Sequence, residues 1–189
     1  MNEHVPRLQA EEMQPELAEF LAPRIQRLGY LGEFFQCTAH QPAALLKFLE
    51  FTEELKHALP NHLTELIALT IAMSMDNAYE RVQHERLCEE LGFSPEWLNA
   101  VLNRDATDDG QVLTHTERSV RQLAISVVKR GGRNTTHEFQ AVIDAVGVQA
   151  AIAVLMLISR YMSHAAMVNT LDLPPPALAV ARGRSRKPD

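Results

Sequence analysis

A chain of 189 residues has room for one sizeable core and not comfortably for two. Its composition, 46% hydrophobic and 22% charged, is that of an ordinary globular protein. The formal charge of -6 and a pI near 5.7 exclude a general attraction to nucleic acid or anionic membrane, both of which are bound through excess Lys and Arg.

Residues 1–13 carry no apolar run that would serve a signal peptide, so they are expected to form a loose N-terminus on a cytoplasmic protein. A single helical domain is expected over residues 14–173. Its first helix starts at Pro15 and runs to about Leu28, with Pro23 expected to break it because an internal Pro removes a helix hydrogen bond. Gly29 and Gly32 frame a turn, the short segment Phe34–Ala39 follows, and Pro42 opens a helix with Leu45, Leu46, Leu49 and Leu55 on its inner face. Pro60 ends that helix. The segment from Leu63 to Met75 is apolar nearly all round, which suits a helix surrounded by others. Asp76-Asn77 breaks it, and a helix over Ala78–Leu91 stops at Gly92.

Ser94-Pro95 caps a short helix bearing the only Trp, Trp97, and a polar loop follows from Asn103 to Gln111. Thr114 with Glu117, and Thr135 with Glu138, have the spacing of capping boxes, so two helices are expected, ending near Gly131-Gly132 and Val146-Gly147. The last helix runs from Val148 to about Thr170. Its apolar run Val148–Ile158 is shorter than the roughly 20 residues of a membrane span, so it is expected to be buried in the protein. Residues 174–189 form a Pro-rich, basic tail. No alternating strand pattern appears. The expected fold is therefore all-α, a bundle of about seven or eight helices. Two nearly all-apolar helices exceed what one small bundle surrounds, so a homo-oligomer is expected.

The residues that can carry chemistry cluster in the middle of the chain. Glu65 lies in the apolar helix, where a carboxylate is either paired or shifted in pKa, unless it sits in the wet first turn. Glu80 and His84 are four residues apart and share a helix face, with Tyr79 beside them; together they supply groups able to move protons, although ordinary surface pairs share the spacing. Glu65 is expected to approach the same place, because the break at Asp76-Asn77 lets one helix fold back on the other. A metal site of Glu80, His84 and distant His164 has no spacing to support it, so no metal or other cofactor is expected, and His164 and His40 are read as core or helix-end histidines. Cys37 and Cys88 are expected to be reduced, and Cys88 to be a buried structural thiol.

The run from Glu65 to Met73, the break at Asp76-Asn77, the following Tyr79-Glu80-Arg81-Val82-Gln83-His84 and Gly92 resemble the core segment of the carboxymuconolactone decarboxylase and alkylhydroperoxidase D superfamily. Cys37-Thr38-Ala39-His40-Gln41-Pro42 is similar to the turn before a helix in that superfamily, and Tyr161 to the Tyr of its longer members' terminal helix. In the alkylhydroperoxidase branch a Cys-x-x-Cys precedes the His. Asn77 and Glu80 stand at those two positions here, so the resemblance carries no disulfide-based peroxide chemistry. The decarboxylase branch, which has Glu four residues before the His, implies a cofactor-free acid–base enzyme acting on a small carboxylated or lactone-like molecule, with Glu65, Tyr79, Glu80 and His84 as catalytic residues. Such a substrate needs fixed positive charge, and only Arg81 is close in sequence. A peroxiredoxin-type antioxidant activity and a non-catalytic ligand-binding oligomer are the alternatives. By the same resemblance the oligomer is a trimer or hexamer.

Overall fold

The computed structural model describes residues 4–103 and 112–176, so most of the expected loop from Asn103 to Gln111, and most of the basic tail, lie outside the described residues. Among the described residues, eight α-helices follow a single 3-10 turn at Ala10–Glu12: α1 (Pro15–Leu28), α2 (Glu33–Thr38), α3 (Pro42–His57), α4 (Asn61–Ser74), α5 (Ala78–Glu90), α6 (Pro95–Leu102), α7 (His115–Arg130) and α8 (Thr136–Thr170). No strand occurs among the described residues.

The boundaries follow local chemistry. Asn77 and Ser94 accept hydrogen bonds from the backbone N–H of Glu80 and Trp97, and Thr114 forms a complete capping box with Glu117. The second expected box does not form. The Thr135 hydroxyl donates to the Gly132 carbonyl instead, and Glu138 is drawn across the turn to Arg130 and Ser126, because a charge-assisted contact outcompetes a neutral cap. Pro23 does not break α1 either, since it lies on the exposed face, where water can satisfy the carbonyl that loses its donor.

Every residue of α4 from Leu63 to Ala72 is buried, and α5, α6, α7 and α8 all pack on it. Truncating one of its fully buried leucines, such as Leu66, should cost about 2–5 kcal/mol. A second apolar cluster joins α1, α2 and α3 to the end of α8 through Leu17, Leu21, Phe34, Leu49 and Val168. Residues 4–13, expected to be loose, are tied to this cluster. Arg7 pairs with Glu33 at 3.2 Å, the Leu8 N–H donates to the Gln36 carbonyl, His40 Nε2 lies 2.9 Å from the Pro6 carbonyl, and Met13 is buried.

Helix α8 divides at Gly147, where the sequence places the end of one helix and the start of the next. Gly147, at φ 80° and ψ 163°, breaks it with a conformation that a side chain would oppose, leaving arms at 136–146 and 148–170. The second arm is buried on one side only: Val148, Ile152 and Met156, one turn apart, are 64%, 43% and 41% exposed. The whole helix is long and apolar enough by composition to cross a membrane, yet Arg160 and His164 of its second arm turn into the protein interior.

Candidate functional site

Asp76 takes a left-handed φ of 51°, the Asn77 N–H returns to the Ala72 carbonyl, and Asn169 of α8 donates to the Met75 carbonyl. These contacts hold the tight turn that lays α5 back along α4. Glu65 and His84 meet as a result: His84 Nδ1 lies 2.5 Å from Glu65 Oε2, with both residues buried. The other ring nitrogen, Nε2, is 3.4 Å from Glu80 Oε2, one turn earlier on α5. Glu80 in turn places Oε1 3.5 Å from His164 Nδ1 of α8. The order across the site is thus Glu65, His84, Glu80, His164. Glu65 is not a wet first-turn residue; it is 2% exposed.

The electrostatics follow from this order. Burial works against a charge on His84, but the two carboxylates overcome it and raise its pKa to about 9. Burial likewise opposes ionisation of Glu80, and the neighbouring His164 and His84 rings with the Arg160 guanidinium hold it well below the usual carboxylate range. His164 moves the other way. Burial lowers it to about 4, against the pull of Glu80 and with the help of Arg160, His84 and Arg24. Near neutral pH the site therefore holds an imidazolium between two carboxylates, beside a neutral imidazole.

Tyr79 stands at a different wall. Its hydroxyl accepts a long bond of 3.4 Å from the Phe34 N–H, and burial pushes its pKa up. It comes close to the backbone because residue 32 is Gly; a Cβ there would lie 2.7 Å from the Tyr79 hydroxyl. Tyr79, Glu80, His84 and His164 all line one cavity of about 100 Å³. That is room for several waters or a small organic molecule, since one water needs about 10–15 Å³ on the same measure.

The remaining walls come from helices distant in sequence. Arg160 is 7% exposed, donates from Nε to Thr52 Oγ1 at 2.7 Å, and lies against the rings of Phe48 and Tyr161 at 4.8 and 4.6 Å. Tyr161 meets the His84 ring edge-on at 5.3 Å, and Phe34 lies 4.0 Å from the His164 ring. Arg24 and Lys56 also line the cavity. Arg81, the cation nearest in sequence, does not: it pairs with Glu85 at 3.7 Å on the outside of α5. His164, read from the sequence as a core histidine, and Arg160 were thus missed as cavity residues. The available signal was an Arg and a His four apart in an otherwise apolar helix. Although Glu80 does bring His84 and His164 together, no group of three or more His, Cys, Asp or Glu side chains among the described residues has the geometry to hold a metal ion. Cys37 and Cys88 are both free and buried, and burial raises the Cys88 thiol to about 12.

An all-α bundle in which an imidazole is held between two carboxylates, with no cysteine at the cavity wall, is the class that fold and site define. Residues 42–115, which contain Glu65, Tyr79, Glu80 and His84, match the model of the carboxymuconolactone decarboxylase family. No curated protein sequence matches the chain. Among solved structures the chain is similar to the debrominase Bmp8, both as a cysteine-to-alanine variant in complex with 2,3,4-tribromopyrrole (17% identity, 94% of each chain, TM-score 0.79) and in its apo form (18%, 94% of each chain, 0.78). It is also similar to an uncharacterized peroxidase-related protein with an alkylhydroperoxidase AhpD core from Ralstonia eutropha JMP134 (16%, 90% of each chain, 0.77). The chain thus carries a segment matching the carboxymuconolactone decarboxylase family model over residues 42–115 and shares the fold of these solved structures.

Proposed function

We propose that the protein is a cofactor-free acid–base enzyme acting on a small carboxylated or lactone-like molecule. One observation carries this reading: His84 is buried at the wall of a small cavity with a carboxylate at each ring nitrogen. Glu65 makes the shorter contact and sets the ring's orientation. Nε2, with the longer contact to Glu80, is the nitrogen free to exchange a proton with a bound molecule.

In a decarboxylation beside a carbonyl, the bond to the departing carbon dioxide breaks and its electron pair stays on carbon as an enolate. His84 Nε2 then gives its proton to that carbon, and Glu80 returns a proton from water to the ring. Stabilising the developing anion beside an imidazolium and buried cations is the electrostatic part of the work, and general acid catalysis of this kind typically contributes about 10²–10⁴-fold. Tyr79 borders the same space and acts as a hydrogen-bond donor to the substrate. A dithiol peroxide reductase is disfavoured, because Asn77 and Glu80 stand where its cysteines belong and the raised Cys88 pKa leaves little thiolate.

We also infer a homo-oligomer from the exposed apolar stripe of Val148, Ile152 and Met156, which a second copy would cover, and take trimer or hexamer from the superfamily resemblance. Light scattering at micromolar concentration that reports a monomer would end this inference. The enzymatic reading is tested by incubating the protein with a panel of small carboxylated lactones in D₂O and following carbon dioxide release and deuterium at the product carbon by NMR. Turnover lost in His84→Gln is expected. A panel that is bound but neither decarboxylated nor exchanged would leave the protein a non-catalytic binder.

A further inference from the structure

Five cationic side chains, Arg24, Arg27, Lys56, Arg86 and Arg160, line the site cavity of a chain whose net charge is -6. Two are neutralised beside it, Arg24 by Glu53 at 3.0 Å and Arg27 by Glu90 at 3.6 Å. The other three have no carboxylate within 4.0 Å among the described residues. Both carboxylates deeper in the site, Glu65 and Glu80, are already engaged by His84. The cavity therefore holds more positive charge than its own carboxylates offset.

Arg160 is also held in place, and donors at the cavity are left unused. Arg160 is fixed by its Nε bond to Thr52 and by the two rings beside it, and that Nε bond is its one hydrogen bond among the described residues. Nη1 of Arg86 is buried with no hydrogen-bond partner. Nδ1 of His164, a side chain only 3% exposed, likewise has no partner within hydrogen-bond geometry. Burial lowers the pKa of Lys56 against the pull of Glu53 and Glu65, and Arg24 and Arg160 add to the fall. Buried donors left unmade are costly, and a ligand that fills them gains that energy on binding.

We propose that this cationic wall binds the carboxylate of a small unsaturated organic acid, with Arg160 and Lys56 holding the anion while Phe34 and Tyr161 contact the carbon skeleton. The planar guanidinium of Arg160 matches a carboxylate edge, and the aromatic and aliphatic part of the lining requires a ligand with an apolar body, which a free inorganic anion lacks. A cavity of about 100 Å³ limits that body to roughly one ring. The positive charge that the sequence offered only at Arg81 comes instead from α3 and α8. This assignment rests on the acid–base reading only in placing the bound acid beside His84.

Isothermal titration calorimetry on the full chain at pH 7 tests it, with benzoate as the probe and benzyl alcohol and inorganic phosphate as comparisons. Benzoate is expected to bind at least tenfold more tightly than either, and Lys56→Gln and Arg160→Gln each to weaken it at least tenfold, while the exposed Arg133→Gln leaves it unchanged. Lys56 is only half-buried, so its variant keeps the test decisive if Arg160→Gln does not fold. Benzoate affinity unmoved by Lys56→Gln, benzyl alcohol or phosphate binding as tightly as benzoate, or no benzoate heat at all would each overturn the proposal. The two readings fail separately. Benzoate bound by the wild-type chain and by His84→Gln, with no carboxylated lactone turned over, leaves the cationic wall and removes the proton-transfer enzyme. His84-dependent turnover of neutral lactones without benzoate binding does the reverse.

Discussion

Glu65 and Glu117 are both buried carboxylates, 2% and 4% exposed, yet their surroundings differ in kind. Glu117 spends every contact on the fold: it accepts from the Thr114 backbone N–H and hydroxyl, each at 2.7 Å, and from Trp97 Nε1 at 2.8 Å. It thereby starts α7 and anchors α6, and it does not line the site cavity. Glu65 instead touches one titratable ring, which carries a second carboxylate and faces an open space with unpartnered donors. Burial of a charge alone therefore does not mark a site. What marks it is hydrogen-bonding capacity left unfilled next to a void, because a structural network has no reason to leave either.

Replacing His84 should produce the largest effect. His84→Gln is expected to lower turnover of a carboxylated lactone about 10²–10⁴-fold, the usual share of a general acid. The amide can still donate toward one carboxylate, so the variant should fold, whereas His84→Ala leaves Glu65 and Glu80 buried without their partner and should be markedly less stable. Steady-state rates beside thermal melts check both statements, and full activity in His84→Gln would remove the contrast between the two glutamates.

Glu117→Ala should show the opposite profile. Losing a helix cap costs about 1 kcal/mol, and leaving the buried Trp97 N–H unpaired costs about 1–3 kcal/mol more. Urea denaturation followed by Trp97 fluorescence should report that loss directly, with lactone turnover per folded molecule unchanged. A fall in turnover larger than the fall in folded fraction would show that the two regions are coupled.

Stability against pH separates the regions again. For His84, with a folded pKa of about 9 against an ordinary 6.5, the native state binds more protons between those values. Its contribution is complete below pH 6.5 and is lost as pH rises through 9. For His164, with a folded pKa of about 4, the unfolded state binds more protons between 4 and 6.5, so stability falls as the medium is acidified through that window. The melting temperature should therefore peak near pH 6.5. His84→Gln should flatten the alkaline limb and His164→Leu the acid one. Glu117, whose pKa is lowered despite burial by the Thr114 and Trp97 hydrogen bonds, contributes only to losses below about pH 4.5. A melting temperature that is constant from pH 5 to 9 would contradict the charge states assigned to the site.

The same contrast explains what could be read in advance. Helix ends at Pro15, Pro42, Ser94 and Thr114 were legible because capping is a local matter of side chain and adjacent backbone. Glu80 and His84 were legible as a pair because helical spacing sets their direction, and Glu65 stood out as a carboxylate in an apolar helix. Arg24, Lys56, Arg160 and His164 were not, since α1, α3 and α8 reach the cavity only through tertiary packing, which no local period encodes. The exceptions to local rules are also tertiary. Water at the exposed face of α1 lets Pro23 stay in the helix, and Arg130 takes Glu138 from its cap.

The smallest effect is expected where the superfamily resemblance would most readily place the chemistry, at sulfur. Cys37 and Cys88 are 4% and 0% exposed, and Cys88 lies one turn beyond His84 on α5 without reaching the cavity wall. A thiol with pKa near 12 is almost entirely protonated at neutral pH, whereas attack on a peroxide requires the thiolate and its turnover requires a second thiol to resolve the product. The double variant Cys37→Ser with Cys88→Ser should keep lactone turnover within a few-fold of the parent. It should melt somewhat lower, because a hydroxyl at position 88 enters an apolar cluster with no new acceptor assigned to it. Peroxide consumption coupled to a thiol reductant, present in the parent and abolished by Cys88→Ser alone, would place the reactive atom at sulfur after all. His84 would then be the neighbour of a nucleophile, and its two carboxylates would have to be reread as its support.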